Sequence, residues 1–226
     1  MSANTSKKAN RINIKNPVYA LLTTDTSTGC TYGTVKPFGE AMEVQMTPSL
    51  ATGVLYGNGS KTEDIAKLTG MDVEFAANKI PIETRAEIMG NQYTNGILVE
   101  KNSDQPKDIA FGFMVEQTED KAEYIWLFKG KAQPYANNVK QTESNINFST
   151  DSLKISFVPR IFDGAIRAFG DTANADFTDE AAKTSLVDLI EMRIGNGMGG
   201  KSYLLLTGGI AAVEAAINKA KASASE

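Results

Sequence analysis

The chain has 226 residues, of which 42% are hydrophobic and 22% charged, and its formal net charge is −4. This composition excludes a disordered chain, and it does not favour a nucleic-acid binder, which usually carries a basic surface for phosphates. The single cysteine, Cys30, excludes an internal disulfide, and the absence of histidine excludes catalytic triads and metal sites built on imidazole. Carboxylate, lysine and serine chemistry stay open.

The first fifteen residues are polar and basic. They contain Lys7, Lys8, Arg11 and Lys15, no acidic residue, and no apolar core of the kind found in a signal peptide. We predict a flexible basic arm over residues 1–15 that orders against an acidic surface of an adjacent subunit. A disordered tail without a role is the alternative.

Period-two alternation of apolar and polar residues dominates from residue 16 to residue 160. It predicts strands in NPVYALLTT, AMEVQMT, GMDVEFAAN and SLKISFVPR. In the second and third of these, Met42, Val44, Met46, Met71, Val73 and Phe75 form the apolar faces, opposite Glu43, Gln45, Asp72 and Glu74. The segment between them, Tyr56 to Asp64, reads YGNGSKTED and predicts a flexible loop.

A hairpin is predicted from Ile109 to Ala132, with a polar tip at Gln117 to Lys121. Ile109, Phe111 and Phe113 predict one buried face. The opposite face is also apolar, because it includes Gly112 and other apolar residues such as Ala110 and Met114. We expect this second face to meet a helix or a neighbouring subunit.

One helix is predicted at IPIETRAEIMG, with Pro81 in its first turn, Gly90 at its end and Ile82, Ala86 and Met89 on one side. The fold class is therefore mainly β, an antiparallel β-sandwich with one flanking helix. After residue 170 the pattern changes to helical spacing. The predicted domains are the arm over residues 1–15, a β-sandwich over 16–170 and a helix-rich extension over 171–226.

One motif in the extension matches a phosphate-binding loop. Gly195 to Ser202 reads GNGMGGKS, which fits G-x-x-x-x-G-K-[ST]. That loop needs a strand before it and a helix after it, and here a helical pattern precedes it and the strand-like YLLLT follows. A glycine-rich connection is the favoured interpretation. Cys30 and the acidic hairpin tip are likewise interpreted as structural, so no catalytic residue, cofactor or metal site is predicted.

Several ordered motifs together resemble a known family. They are TYGTVK, Asp104-Gln105-Pro106 before AFGF, Trp126-Leu127, and a closing strand that ends in Pro159-Arg160. With the segments around them, from about Asn16 to Asp176, they resemble the major tail proteins of phages with long non-contractile tails, especially phages of Gram-positive hosts.

The resemblance implies a structural virion protein without enzymatic activity. Six copies would form a ring, and rings would stack into a tail tube through which double-stranded DNA is delivered. The implied partners are other copies of the chain, the tape measure protein, the tail terminator, and baseplate or distal tail proteins. The implied location is the phage tail, after assembly in the host cytoplasm.

Three sets of residues are candidates for contacts in such a tube. Glu43, Gln45, Asp72 and Glu74 are candidates for the channel lining, with ordinary solvent exposure as the alternative. The loop residues Tyr56, Gly57, Asn58, Gly59, Ser60 and Lys61 are candidates for contacts between rings. Lys7, Lys8, Arg11 and Lys15 are candidates for contacts between subunits.

Two other functions stay open on the sequence alone. A tube protein of a related secretion or injection system, such as the haemolysin-coregulated protein of type VI secretion, would share the fold. A phosphate-binding enzyme that uses Lys201 is the less favoured alternative.

Overall fold

The computed structural model describes residues 9–57, 60–134 and 150–174. Within these ranges the protein is mainly β, with antiparallel strands and one short helix, as the sequence predicts. The elements in chain order are β1 (Arg11–Thr26), β2 (Gly29–Tyr32), β3 (Lys36–Pro37), β4 (Ala41–Gly57), β5 (Ser60–Ala77), α1 (Ile82–Met89), β6 (Gln92–Thr94), β7 (Ile97–Val99), β8 (Asp108–Gln117), β9 (Lys121–Ala132), β10 (Asp151–Phe157) and β11 (Arg167–Asp171).

Nine of the described strands form one sheet, with the main order β2-β1-β8-β9-β10-β5-β4. β3 pairs with β1, and β11 pairs with β9, while β6 and β7 form a separate hairpin. β9 joins the two halves of the sheet, one formed by β2, β1 and β8 and the other by β10, β5 and β4, because it pairs with β8 on one side and, at Gly130–Ala132, with β10 on the other. Glu123–Leu127 of β9 pairs with β11. The described strands thus form one continuous large sheet where two separate layers were predicted.

The large sheet curls around an aromatic core. Phe75 of β5 and Phe111 of β8 have ring centroids 5.3 Å apart, although β9 and β10 lie between their strands in the sheet. Phe38, from the connection between β3 and β4, lies 5.0 Å from Phe75 and 5.4 Å from Phe111. Rings this close are within the usual range for attractive aromatic pairs, so they hold the two halves of the sheet together.

The second face of the hairpin β8–β9 is covered by the chain itself, and not by a helix or a neighbouring subunit as expected. Val18 and Ala20 of β1, Cys30 and Tyr32 of β2, and Ala165 form a second buried cluster with the outer side chains of the hairpin, Ala110, Met114, Tyr124, Trp126 and Phe128. The segment that follows β10 folds back across this face. A sheet that is apolar on both faces is thereby buried on both.

Helix α1 begins after Pro81 and ends at Gly90, as the sequence predicts. Gly90 has φ of +72°, the left-handed conformation that glycine adopts readily at helix ends. The buried side chains are Thr84, Ala86 and Ile88, whereas the predicted Ile82 is exposed. Ile88 anchors this face of the helix in the main buried cluster, where it is 1% exposed.

Met42 also departs from its predicted face. The pairing of β4 with β5 shifts between Ala41 and Glu43, so one residue is bulged out of the ladder. Ala41, Val44 and Met46 pack against the core, and Met42 is exposed.

The pair Gly112 and Trp126 shows how closely the hairpin strands fit. A Cβ atom on Gly112 would lie 2.6 Å from Cε2 of Trp126, whose side chain is fully buried. We expect Gly112→Ala to destabilise the fold by about 1–3 kcal/mol, because the indole has no space to move away. Chemical denaturation measures this change.

Gly29→Ala is the matched control, since a Cβ atom at Gly29 meets nothing within 4 Å. Its free energy of unfolding should stay within about 0.5 kcal/mol of the wild-type value. Equal stabilities for the two variants would contradict the packing of Trp126 on Gly112.

Candidate functional site

The most deeply buried charged side chain of the described residues lies where the polypeptide leaves β10 and turns back toward β11. We call residues 158–174, with the side chains that hold them, the junction. Its centre is Arg160, which is 1% exposed and therefore almost completely removed from water. A buried guanidinium needs partners for its N–H groups, because an unpaired buried charge is costly.

Asp163 supplies the first partner. Nε of Arg160 donates to Oδ1 of Asp163 at 2.7 Å, and Nη2 donates to Oδ2 at 2.7 Å, which makes the pair bidentate. Such paired charge-assisted bonds fix both side chains in one orientation. The same Oδ1 accepts the backbone N–H of Ala165 at 3.0 Å. The carboxylate therefore closes the turn as well as neutralising the arginine.

Strand β2 and the hairpin supply further contacts of the guanidinium. Nη1 donates to Oη of Tyr32 at 3.3 Å, and the guanidinium carbon lies 4.1 Å from the ring centroid of Phe128. The hydroxyl of Tyr32 in turn donates to the carbonyl of Phe128 at 3.0 Å. Burial raises the pKa of the Tyr32 hydroxyl, so it stays neutral and donates this bond.

Asp25, at the end of β1, fastens the outer side of the junction. Its carboxylate accepts the backbone N–H groups of Ile161 and Phe162 and the ammonium of Lys129 at 2.7 Å. Burial of the Asp25 carboxylate favours the neutral form, but the hydrogen bonds from Lys129 and from the two backbone groups outweigh it and lower the pKa. Asp25 is therefore ionised at neutral pH.

The far end of the junction is strand β11, which adds to the edge of β9. Arg167 to Asp171 pair with Leu127 to Glu123 in an antiparallel ladder. Beyond it, three bonds join Thr172 and Ala122. The backbone N–H of Thr172 and its Oγ1 both donate to the carbonyl of Ala122, at 3.0 and 3.1 Å, and the N–H of Ala122 donates to Oγ1 of Thr172 at 2.9 Å. The junction is thus held from Arg160 to Thr172.

A cleft of about 860 Å³ lies beside α1. It is lined by residues of β1, the β3–β4 connection and the helix. Glu87 accepts the hydroxyl of Tyr19 at 2.5 Å and the ammonium of Lys36 at 2.6 Å. Burial opposes ionisation of Glu87, yet these two bonds outweigh it and lower its pKa. Because the carboxylate already accepts two donors, it is poorly suited to act as a base.

The candidate channel residues lie together on one exposed face. Glu43 and Gln45 of β4 are next to Asp72 and Glu74 of β5, and Gln45 is directly paired with Glu74. Ser156 of β10 donates to Asp72 at 2.7 Å, which extends this polar surface across three strands. The assignment of these residues to a channel lining stays a prediction.

The other two candidate sets are only partly described. Tyr56 and Gly57 end β4, and Ser60 and Lys61 begin β5, so the strands continue further than predicted and the loop is shorter. Asn58 and Gly59 lie outside the described residues, as do Lys7 and Lys8. Their roles in assembly stay predictions.

The described part of the arm pairs with its own chain. Arg11 and Lys15 belong to β1, and their partners in this chain are Glu123 and Glu116. The Arg11–Glu123 contact is 2.7 Å. Whether residues 1–15 contact a neighbouring subunit stays a prediction.

The glycine-rich motif with Lys201 lies outside the described residues. Among residues 9–57, 60–134 and 150–174, no group of three or more His, Cys, Asp or Glu side chains is arranged to hold a metal ion. No helix in these same ranges is long and apolar enough to cross a membrane.

Comparison with known protein families finds a match in the C-terminal part of the chain. Residues 164–226 match the BMC domain. This is the domain of bacterial microcompartment shell proteins. The matched segment begins inside the junction, includes β11 and extends to the last residue of the chain. No curated protein matches the chain.

The match overturns the resemblance to phage major tail proteins, because it points to a shell protein. The interpretation as a tail tube subunit is therefore wrong. So are the partners it implied, namely the tape measure, tail terminator and baseplate or distal tail proteins, and so is the location in a virion tail. The proposed relation to secretion tubes and the phosphate-binding enzyme gain no support either.

The motifs behind the resemblance have packing roles that explain why they misled. Gly112 of AFGF makes room for Trp126, and Tyr32 of TYGTVK bonds to the hairpin backbone. Arg160 closes the junction. These residues serve the burial of a two-faced antiparallel sheet, which is a physical need and not a marker of one function.

The junction was missed as a site because a charged residue is expected at the surface by default. One signal was present in the sequence. Arg160 and Asp163 are three residues apart in VPRIFDGAI, where nearly all neighbours are apolar. Two opposite charges inside an apolar segment are typical of a buried pair.

Proposed function

We propose that the chain is a non-catalytic structural subunit of a bacterial microcompartment shell, to which it attaches through residues 164–226. The observation that carries this proposal is the BMC-domain match over that segment. A shell domain is structural, which is compatible with the prediction that the protein is not an enzyme.

The sheet supports this role by holding the start of the matched segment. β11 belongs both to the matched segment and to the ladder on β9, and the Arg160–Asp163 pair fixes the turn that leads into it. Residues beyond 174 would therefore follow directly from a strand of the large sheet. We propose that the sheet is a module that the shell domain displays.

This proposal modifies the predicted domain boundaries. The β module would run from about residue 16 to the junction, its two halves facing each other across the aromatic core in the manner of a sandwich. The C-terminal module would begin at residue 164, with the helical apolar spacing after residue 176 as its main sequence signal. β11 would belong to both.

Electron microscopy of the purified full-length chain tests whether it self-assembles as shell proteins do. We expect rings or flat sheets for the full chain, and single particles for a variant that ends after Asn174. Far-UV circular dichroism of the shortened variant must show the same β signal, so that loss of assembly is not loss of folding. Assembly that survives removal of residues 175–226 would overturn the proposal.

A further inference from the structure

The connection of β4 to β5 projects from the body of the sheet as a two-stranded arm. We define this β4–β5 arm as residues 50–57 of β4 and 60–69 of β5. It is distinct from the N-terminal residues 1–15, and it is the segment called the arm from here on. Every described side chain in it is exposed, whereas Gly70 and Met71 at its base are buried. Six large apolar side chains of the arm are 38–69% exposed: Leu50, Val54, Leu55, Tyr56, Ile65 and Leu68.

The arm lacks a third strand among the described residues. β10 pairs with β5 only from Met71 to Ala77, so the part of β5 before Gly70 has no neighbour on that side within residues 9–57, 60–134 and 150–174. β4 is the last of the described strands in the sheet order, so none of them pairs with its outer edge either. A two-stranded ribbon is marginally stable in water by itself, and its apolar residues lie on both faces, with Leu50 beside Leu68 on one and Ile65 beside Gly53 on the other.

The two open edges differ in charge. The β5 edge carries Lys61, Glu63, Asp64 and Lys67, and charged side chains are a common means of keeping an edge strand from pairing. The β4 strand has no charged residue from Val44 to Gly57. Pro48 interrupts this edge only at the base of the arm, and no proline follows it within the strand.

We propose that the β4 edge of the arm pairs with the β4 edge of a second copy of this chain, antiparallel about a twofold axis. The two arms then form a four-stranded ribbon in which Leu50–Gly57 of each copy, roughly 25 Å of strand at about 3.3 Å per residue, completes the open edge of the other. The identical uncharged edges bring no like charges together. The arm as a whole has as many acidic as basic residues, so it offers no electrostatic reason to select a charged partner instead.

This contact is separate from residues 164–226 and does not depend on the shell proposal. Two matched variants test it. Val54→Lys places a charge on the β4 edge, where the same residue of the second copy brings another like charge close. Ile65→Lys places the same side chain on β5, one pair further along the ladder, where Ile65 faces Gly53.

Hydrogen–deuterium exchange at two protein concentrations reads this contact directly, whatever residues 164–226 do. In the wild type we expect the amides of residues 50–57 to gain protection as concentration rises, with smaller changes in 60–69. The concentration needed should rise roughly tenfold or more in Val54→Lys and stay near the wild-type value in Ile65→Lys.

Two results would overturn the proposal. One is protection of residues 50–57 that does not change with concentration up to that of the assembled protein. The other is an equal loss of protection in both variants, which would mean that the arms pack through their faces and not through the β4 edge.

Discussion

Asp163→Ala should destabilise the protein by about 3–5 kcal/mol, because it removes the carboxylate that pairs in a bidentate geometry with the buried guanidinium of Arg160. Both bonds of the bidentate pair are lost, and Ala165 loses the acceptor of its backbone N–H. Tyr32 and Phe128 stay in contact with the guanidinium, but neither carries a negative charge. Urea denaturation followed by tryptophan fluorescence measures the loss, since Trp126 lies in the same buried cluster.

A double variant separates the cost of losing the ion pair from the cost of leaving the buried arginine without Asp163. Arg160→Met combined with Asp163→Ala removes the buried charge as well, so the double variant should be more stable than Asp163→Ala alone. Glu116→Ala removes a partner from the more exposed Lys15–Glu116 pair and should change stability little. A double variant that is less stable than Asp163→Ala would contradict the central role of the buried pair.

Phe75→Ala should cost about 3–5 kcal/mol, because it opens a cavity at the point where the two halves of the sheet meet. Phe75 is fully buried and has rings of Phe38 and Phe111 within 5.3 Å. Phe38, in the connection before β4, and Phe111, in β8, are themselves fully buried, so we expect them not to fill the space. Thermal unfolding monitored by circular dichroism should show a clearly lowered midpoint.

Phe169→Ala is the control for this prediction. Phe169 is 47% exposed and lies against the guanidinium of Arg167 with 4.7 Å between guanidinium carbon and ring centroid. Its removal should cost less than about 1 kcal/mol. Similar midpoints for the Phe75 and Phe169 variants would show that the aromatic cluster does not hold the two halves together.

Local patterns predicted most of the elements of the β module. Pro81 and Gly90 mark the ends of α1, and the alternation around Phe111 and Trp126 predicts the hairpin β8–β9 and its tip. These signals succeed because they depend on neighbours in sequence: a helix cap, a turn and a pleated strand are each decided within a few residues.

Features that depend on distant partners were missed. Glycine and asparagine at residues 57–59 predicted a loop, but cross-strand pairs such as Leu55 with Glu63 extend both strands into the β4–β5 arm. β11 was not predicted, because a five-residue strand is defined by the edge of β9 that receives it. The burial of Arg160 depends on Asp163, Tyr32 and Phe128 together, and only two of these four residues are close in sequence.

Local sequence patterns predicted which candidate residues are exposed, but not what those residues contact. The polar face of Glu43, Gln45, Asp72 and Glu74 was correctly expected to lie opposite the core, but a face does not state what it contacts. The resemblance to tail proteins relied on residues that serve packing, whereas the family signal lies in residues 164–226. Short motifs within a well-packed sheet were therefore weaker evidence of function than the segment whose fold the patterns predicted least clearly.

The most direct test of the shell role is incorporation into microcompartments in a bacterium that builds them. The full-length chain and the variant that ends after Asn174 are each produced with the same tag, and the microcompartments are purified and probed for it. We expect the full chain to co-purify with the shells and the shortened variant to stay with the free protein. Equal amounts of both in the purified shells, or the absence of both, would contradict it.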